Sequence, residues 1–136
     1  MFSLDYLHHQ VIHFPIALLS ISIFFDFLAI YFKNHKLFFS GWCTLLTGAL
    51  LSVVAIITGF IADIVYGHMS EPFPIFQTHG STQIIAAIFF IGLCLWRYSN
   101  NHIHTKPPAG YYILGVISVC ILFYGSHLGA GLAGHY

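Results

Sequence analysis

The sequence predicts an all-α integral membrane protein, a four-helix bundle that forms a single domain over residues 1–136. The chain is 58% hydrophobic and only 6% charged, whereas ordinary globular proteins carry about 25% charged residues. Four apolar stretches each approach the roughly 20 residues that a helix needs to cross a bilayer. Their apolarity is continuous rather than alternating, so helices and not barrel strands are expected. The lipid bilayer is therefore the expected surroundings of most of the chain.

The helices are expected in a simple order along the chain. Their approximate bounds are residues 7–32, 39–62, 79–96 and 110–133. A short polar turn separates the first two, and a polar segment that ends in Pro107 and Pro108 separates the last two. The connection between the second and third carries Pro72 and Pro74, which argue against a continuous helix there.

The charged residues predict the orientation of the bundle. The basic residues fall at one end of the helices and are Lys33, Lys36, Arg97 and Lys106. Three of the acidic residues, Asp5, Asp63 and Glu71, fall at the other end. The positive-inside rule makes the basic end cytoplasmic and puts both termini on the periplasmic side of a bacterial inner (cell) membrane. With four basic and four acidic residues in a multi-pass chain, no nucleic-acid partner is expected.

Histidine is unusually frequent, with ten residues in so apolar a chain. An imidazole in lipid is costly unless it is paired, bound to a metal or turned to a polar cavity. His13, His79 and His127 lie 20, 18 and 18 residues from Lys33, Arg97 and Ala109 at the cytoplasmic ends of their helices. These separations correspond to roughly 27 to 30 Å of helix. The three histidines are thus expected at one level near the outer face.

Small residues on two helices would allow close approach of a neighbouring helix or a flat ligand. The second helix has Thr44, Gly48, Ser52, Ala55, Gly59 and Asp63 at helical spacing. The last helix has Gly125, Gly129 and Ala133 on one face, with His127 pointing the other way. Plain helix packing explains these stripes as well as clearance for a cofactor does.

Asp26 is an acidic residue in the apolar part of the first helix. It lies about 220° around the helix from His13, so it does not face the same side. It is expected either to bond a neighbouring helix or, with Asp63, to belong to a proton path.

Three kinds of ligand chemistry suit these histidines. The leading expectation is b-type haem, one or two per chain, with axial ligands from His13, His79 and His127. The second-tier ligands are His8, His9, His68 and His135. A non-haem ion such as zinc, copper or iron is the main alternative, and it would use the same histidines in metal binding or metal transport. A titrating site for protons or quinone, and purely structural hydrogen bonding, are the remaining readings.

The opening run His8–Leu18, HHQVIHFPIAL, resembles the HPxxVHFPIAL opening of a small four-helix membrane family, the two-two-three-one domain of unknown function. Further similarities are Thr58-Gly59 followed by Asp63, His79 at the third helix, and the glycine-rich close from Gly125 to His135. The resemblance implies a four-helix fold and a link to haem or electron transfer. It also implies that His8, His13, His79 and His127 are the histidine positions of the family.

Together these observations predict a cytochrome b-like membrane protein that transfers electrons near the outer face. The expected partners are membrane quinol or a periplasmic redox protein, and a homo-oligomer is compatible with the composition. A haem-dependent membrane oxidoreductase is the enzyme class that this reading allows.

Overall fold

The computed structural model describes residues 4–66 and 78–132, with side chains described for residues 8–62, 64 and 78–131. The helices are α1 (Leu4–Val11), α2 (His13–Tyr31), α3 (His35–Tyr66), α4 (His79–Ser99) and α5 (Ala109–Leu132). Four spans in these ranges are long and apolar enough to cross a membrane: His8–Tyr31, His35–Ala62, His79–Ser99 and Ala109–Gly131. The prediction of an all-α membrane bundle with four spanning helices is confirmed.

The first span consists of α1 and α2, which meet at Ile12. The Ile12 N–H donates to the His8 carbonyl at 3.1 Å, and the Ile16 N–H donates to the Ile12 carbonyl at 3.4 Å, so helical bonding continues across the junction. Pro15 is buried and has no N–H to give to the Val11 carbonyl. The boundary between α1 and α2 therefore coincides with the backbone bond that Pro15 removes.

The second span is longer than the sequence indicated, because α3 begins at His35 and not near residue 39. The Asn34 side chain caps its start, since Oδ1 accepts the Lys36 N–H at 3.0 Å. Lys33, in the turn before it, has a φ of 51°. Hydropathy detects only the part of a helix that lipid covers. It therefore does not predict polar helical turns that extend beyond the lipid.

The first hairpin, α1–α2 against α3, packs in one antiparallel register. A Cβ placed on Gly41 would lie 2.6 Å from Asp26 Oδ1, and one on Gly48 would lie 2.8 Å from Leu19. These two pairs of residue numbers have the same sum, as expected for antiparallel helices that hold a single register. Gly48 of the small-residue stripe, together with Gly41 outside it, thus lets α2 and α3 approach closely, which is the helix-packing alternative of the two that the sequence left open.

The second hairpin, α4 against α5, packs in the same manner. Gly125 and Gly129 lie against side chains of Thr82, Gln83 and His79 on α4. At the other end of the hairpin, Gly110 lies against Trp96.

The two hairpins share one apolar core. Its buried members include Leu19, Ile23, Trp42, Leu45, Phe90, Leu93, Tyr111 and Leu122. Helix α3 packs on α4, and α2 packs on α5, which closes the ring of four helices. This up-and-down order puts the starts of α1 and α4 and the ends of α3 and α5 at one end, here called the histidine end.

Candidate functional site

His8 lies at the histidine end, buried between α1 and α3. Its Nδ1 is 3.1 Å from Thr58 Oγ1, and its exposed fraction is 8%. The Thr58 hydroxyl donates its own hydrogen to the Ala55 carbonyl at 3.0 Å. The hydroxyl oxygen is therefore left to accept from His8, which makes Nδ1 the protonated ring nitrogen. A Cβ on Gly59 would lie 3.1 Å from His8 Cε1, so the glycine provides space for the ring.

His79 opens α4 and lies against α5 at the same end of the bundle. Its Nδ1 is 2.7 Å from the Gly125 carbonyl oxygen. A carbonyl only accepts, so this nitrogen carries a proton and, in a neutral ring, the lone pair is on Nε2. A Cβ on Gly129 would lie 2.6 Å from His79 Cε1 and 2.7 Å from Nδ1. Only glycine at this position admits the ring in its present place.

Gln83, one turn after His79, fixes α4 on the same stretch of α5. Its Nε2 donates to Ser126 Oγ at 3.1 Å and to the Leu122 carbonyl at 3.3 Å. The Ser126 hydroxyl in turn donates to the Leu122 carbonyl at 2.8 Å. These bonds hold α5 in the register that presents the Gly125 carbonyl to His79.

The three leading histidines occupy two different places. His79 is half-buried between α4 and α5, whereas His13 and His127 are exposed. His13 lies about 180° around α2 from the completely buried Ser22. His127 is two residues from both Gly125 and Gly129, which turns it about 200° away from the face that meets α4.

The second-tier histidines are distributed as follows. His9 is exposed, and its ring centroid lies 6.1 Å from that of His8. His68 and His135 lie outside the described residues, and so does the Asp63 side chain. Over the described residues, no group of three or more His, Cys, Asp or Glu side chains is arranged to hold a metal ion.

The opposite end of the bundle holds a buried ion pair between Asp26 on α2 and Arg97 on α4. Arg97 Nη1 donates to Asp26 Oδ1 at 2.9 Å and to Oδ2 at 2.7 Å. Arg97 Nη2 donates to the Phe38 carbonyl at 2.5 Å, and Nε donates to the His102 carbonyl at 2.8 Å. The Tyr111 hydroxyl donates to Asp26 Oδ2 at 3.1 Å. One guanidinium thus connects α2, α3 and the loop after α4, and the carboxylate adds α5.

Arg97 was not predicted as the partner of Asp26, because in the sequence it only marked the end of the bundle that is expected to be cytoplasmic. The sequence did contain a signal for this pair. A carboxylate in lipid is costly, so a cation at a similar depth is expected to pair with it. The bond to a neighbouring helix is the outcome found for Asp26.

The histidines at the end of the bundle opposite the histidine end lie near the helix termini and in the loop. His104 stacks on Phe39 with ring centroids 4.8 Å apart. His102 Nδ1 lies 3.1 Å from Thr105 Oγ1. Both positions are far along the bundle from His8 and His79.

Comparison with known proteins gives one informative match. No curated protein and no solved structure resembles the chain at a significant level. The model of a family described as a predicted membrane protein, DUF2231, matches residues 5–136. That range includes both hairpins and every histidine discussed above, so the chain belongs to the DUF2231 family of predicted membrane proteins.

Proposed function

We propose that the protein is a membrane b-type haem protein that transfers electrons, with the haem at the histidine end and His79 as an axial ligand. The observation that carries the proposal is the 2.7 Å bond from His79 Nδ1 to the Gly125 carbonyl. Histidines that bind a metal through one ring nitrogen almost always donate the other N–H to a carbonyl, a carboxylate or water. This bond fixes the tautomer in which Nε2 is the electron-pair donor.

Gly129 supports the same role for His79. Its missing side chain lets the imidazole lie against the α5 backbone, where a methyl group would overlap the ring. The ring is thus held by a hydrogen bond on one edge and by backbone contact on its flank. A ligand whose orientation is fixed in advance loses little conformational freedom when it binds iron.

His8 is the best-supported second axial ligand. Its Nδ1–H is directed to Thr58 Oγ1, which gives it the same tautomer as His79. The two histidines belong to different hairpins and lie at the same end of the bundle. Two histidines can together hold a b-type haem iron.

The number of donors favours haem over a zinc site that takes three or four protein ligands. A structural zinc site takes four protein ligands, and a catalytic one takes three. The described residues offer no such group, whereas haem needs only one or two axial histidines. The non-haem alternative is therefore less well supported at His79 and His8.

The haem iron would supply one-electron redox chemistry, and the chain would set its position and surroundings. His79 and His8 would bind the metal, the Gly125 carbonyl and the Thr58 hydroxyl would fix their orientation, and the apolar helices would exclude water. The electron donors that suit this depth are membrane quinol or a periplasmic protein. The matching location is a bacterial inner membrane with the histidine end outside.

The test is a reduced-minus-oxidised spectrum of the purified protein with haem quantified per chain. The wild-type protein should show a Soret band and sharp α bands on reduction. His79→Ala should lose most of the haem, and His8→Ala should lower its content or convert the spectrum to a high-spin type. His104→Ala is the matched control at the cytoplasmic end and should keep it. A colourless wild-type protein from haem-replete cells, or full haem content in His79→Ala, would refute the proposal.

A further inference from the structure

Helices α2 and α5 pack side by side and define a seam on the outside of the bundle. The Ile23 side chain lies against Gly115, where a Cβ would be 2.8 Å from Ile23 Cδ1. The Phe27 and Tyr112 ring centroids are 5.4 Å apart. These two contacts define the axial register of α2 against α5 and the faces on which the two helices meet.

The contacts place His13 and His127 at one level along the seam. His13 is ten residues before Ile23, and His127 is twelve residues after Gly115. Because the helices are antiparallel, both separations run toward the histidine end. At the rise of an α-helix they correspond to about 15 Å and about 18 Å.

Both imidazoles also border the seam on its outer side. Around the axis of α2, the direction of His13 differs by about 40° from that of Phe27, which contacts α5. Around the axis of α5, the direction of His127 differs by about 60° from that of Tyr112, which contacts α2. Both histidines are exposed. Each therefore points outward at the edge of its helix that is nearest to the other helix.

We propose that His13 and His127 form a two-imidazole site for a divalent transition-metal ion on the outer side of the α2–α5 seam. Imidazole nitrogen is a preferred ligand of copper, zinc and nickel. Two such donors on adjacent helices at one level can chelate a single ion, and water at the outer membrane boundary can complete its coordination. The site is independent of the proposed haem, because His79 of α4 packs against the opposite face of α5, at Gly125 and Gly129.

The test is a titration of the purified protein in detergent with Cu²⁺, followed by electron paramagnetic resonance. We expect one tightly held Cu²⁺ per chain, with hyperfine coupling to two imidazole nitrogens. His13→Gln and His127→Gln should each reduce the coupling to one nitrogen and weaken binding at least tenfold. The double variant should lose the signal.

Two controls separate this site from other histidines. His9→Gln removes an exposed imidazole at the same end and should bind Cu²⁺ as the wild-type protein does. His79→Gln should also keep the copper signal. The copper result can therefore be interpreted even if the haem proposal fails. Unfolding temperatures of the two single variants, measured in parallel, check that the bundle is still folded when copper binding is lost. An unchanged two-nitrogen signal in the double variant, or no copper bound by the wild-type protein, would overturn the proposal.

Discussion

Arg97 Nη1 lies 2.9 and 2.7 Å from the two carboxylate oxygens of Asp26, and neither side chain has any exposed surface. The pair joins α2 of the first hairpin to α4 of the second. Arg97 Nη2 also donates to the Phe38 carbonyl at the start of α3. A Cβ on Gly41 would lie 2.6 Å from Asp26 Oδ1, so the carboxylate fills the space that this glycine provides.

Removing one partner of this pair should lower the stability of the bundle more than removing both partners does. Arg97→Met or Asp26→Asn alone leaves an uncompensated buried charge, a loss of about 3–5 kcal/mol in comparable buried pairs. The double variant Asp26→Asn/Arg97→Met should be clearly more stable than the sum of the two losses implies. Thermal unfolding in detergent measures the effect, with Lys106→Gln, at an exposed site, as control. Additive losses would mean that the two side chains are not coupled.

Gly41→Ala should destabilise the bundle although it changes only one methyl group. The new Cβ would crowd Asp26 Oδ1 and lie 3.1 Å from the Ser22 carbonyl oxygen, which is backbone and cannot move easily. A loss of about 1–3 kcal/mol is expected for such overpacking. Gly92→Ala is the matched control, because a Cβ there meets nothing within 4 Å. Equal unfolding temperatures for the two variants would contradict the close approach of α2 and α3.

Gly129→Ala should lower haem content without removing any ligand atom. The added methyl group would displace the His79 ring from the Gly125 carbonyl and so disturb the orientation of its Nε2. Haem per chain and the reduced spectrum are the measurements, again with Gly92→Ala as control. Wild-type haem content and an unchanged spectrum in Gly129→Ala would show that the position of His79 does not govern haem binding.

Thr58→Val should weaken the first hairpin while keeping its shape. The substitution removes the oxygen that accepts from His8 Nδ1 and leaves that N–H without its acceptor on α3. A loss of about 1–3 kcal/mol follows from such an unsatisfied buried donor. Thr47→Val is the control, because Thr47 is exposed and its hydroxyl donates to the Cys43 carbonyl of its own helix. Unfolding in detergent should separate the two variants; identical curves would show that the His8 contact adds nothing.

The predicted orientation is open to a direct test with reporter fusions. Alkaline phosphatase joined after residue 136 should be active, because the basic end of the bundle is expected in the cytoplasm. A fusion in the loop near His104 should be inactive. The reverse pattern would invert the bundle and place the histidine end in the cytoplasm.

The sequence was sufficient for the helices because hydropathy records which residues face lipid. It was also sufficient for some helix faces. Asp26 and His13 lie on different sides of the first span, as their angular separation predicted, and His127 turns away from Gly125 and Gly129. The exposure of His13 was not predicted, because it was expected to face a shared site. These features depend only on the geometry of one helix at a time.

The arrangement of side chains between helices was beyond the same reasoning. Residue counts give the depth of His13, His79 and His127 but not the rotation of one helix relative to another, so a shared level could not distinguish an interior position from an outward one. The Asp26–Arg97 pair could not be predicted for the same reason, because α2 and α4 are not consecutive helices. The tautomers of His8 and His79 depend on Thr58 and Gly125, which are distant in the chain.

The separation of these contacts has a consequence for the order of assembly during synthesis. The bond between His8 and Thr58 joins residues within the first 66 positions, so it can form while the ribosome is still making α4. Asp26, in contrast, must wait in the bilayer until Arg97 has been translated. The ion pair can therefore form only after α4 has been translated, and a nascent chain that stalls before Arg97 would expose the Asp26 carboxyl group without its partner to membrane quality-control proteases.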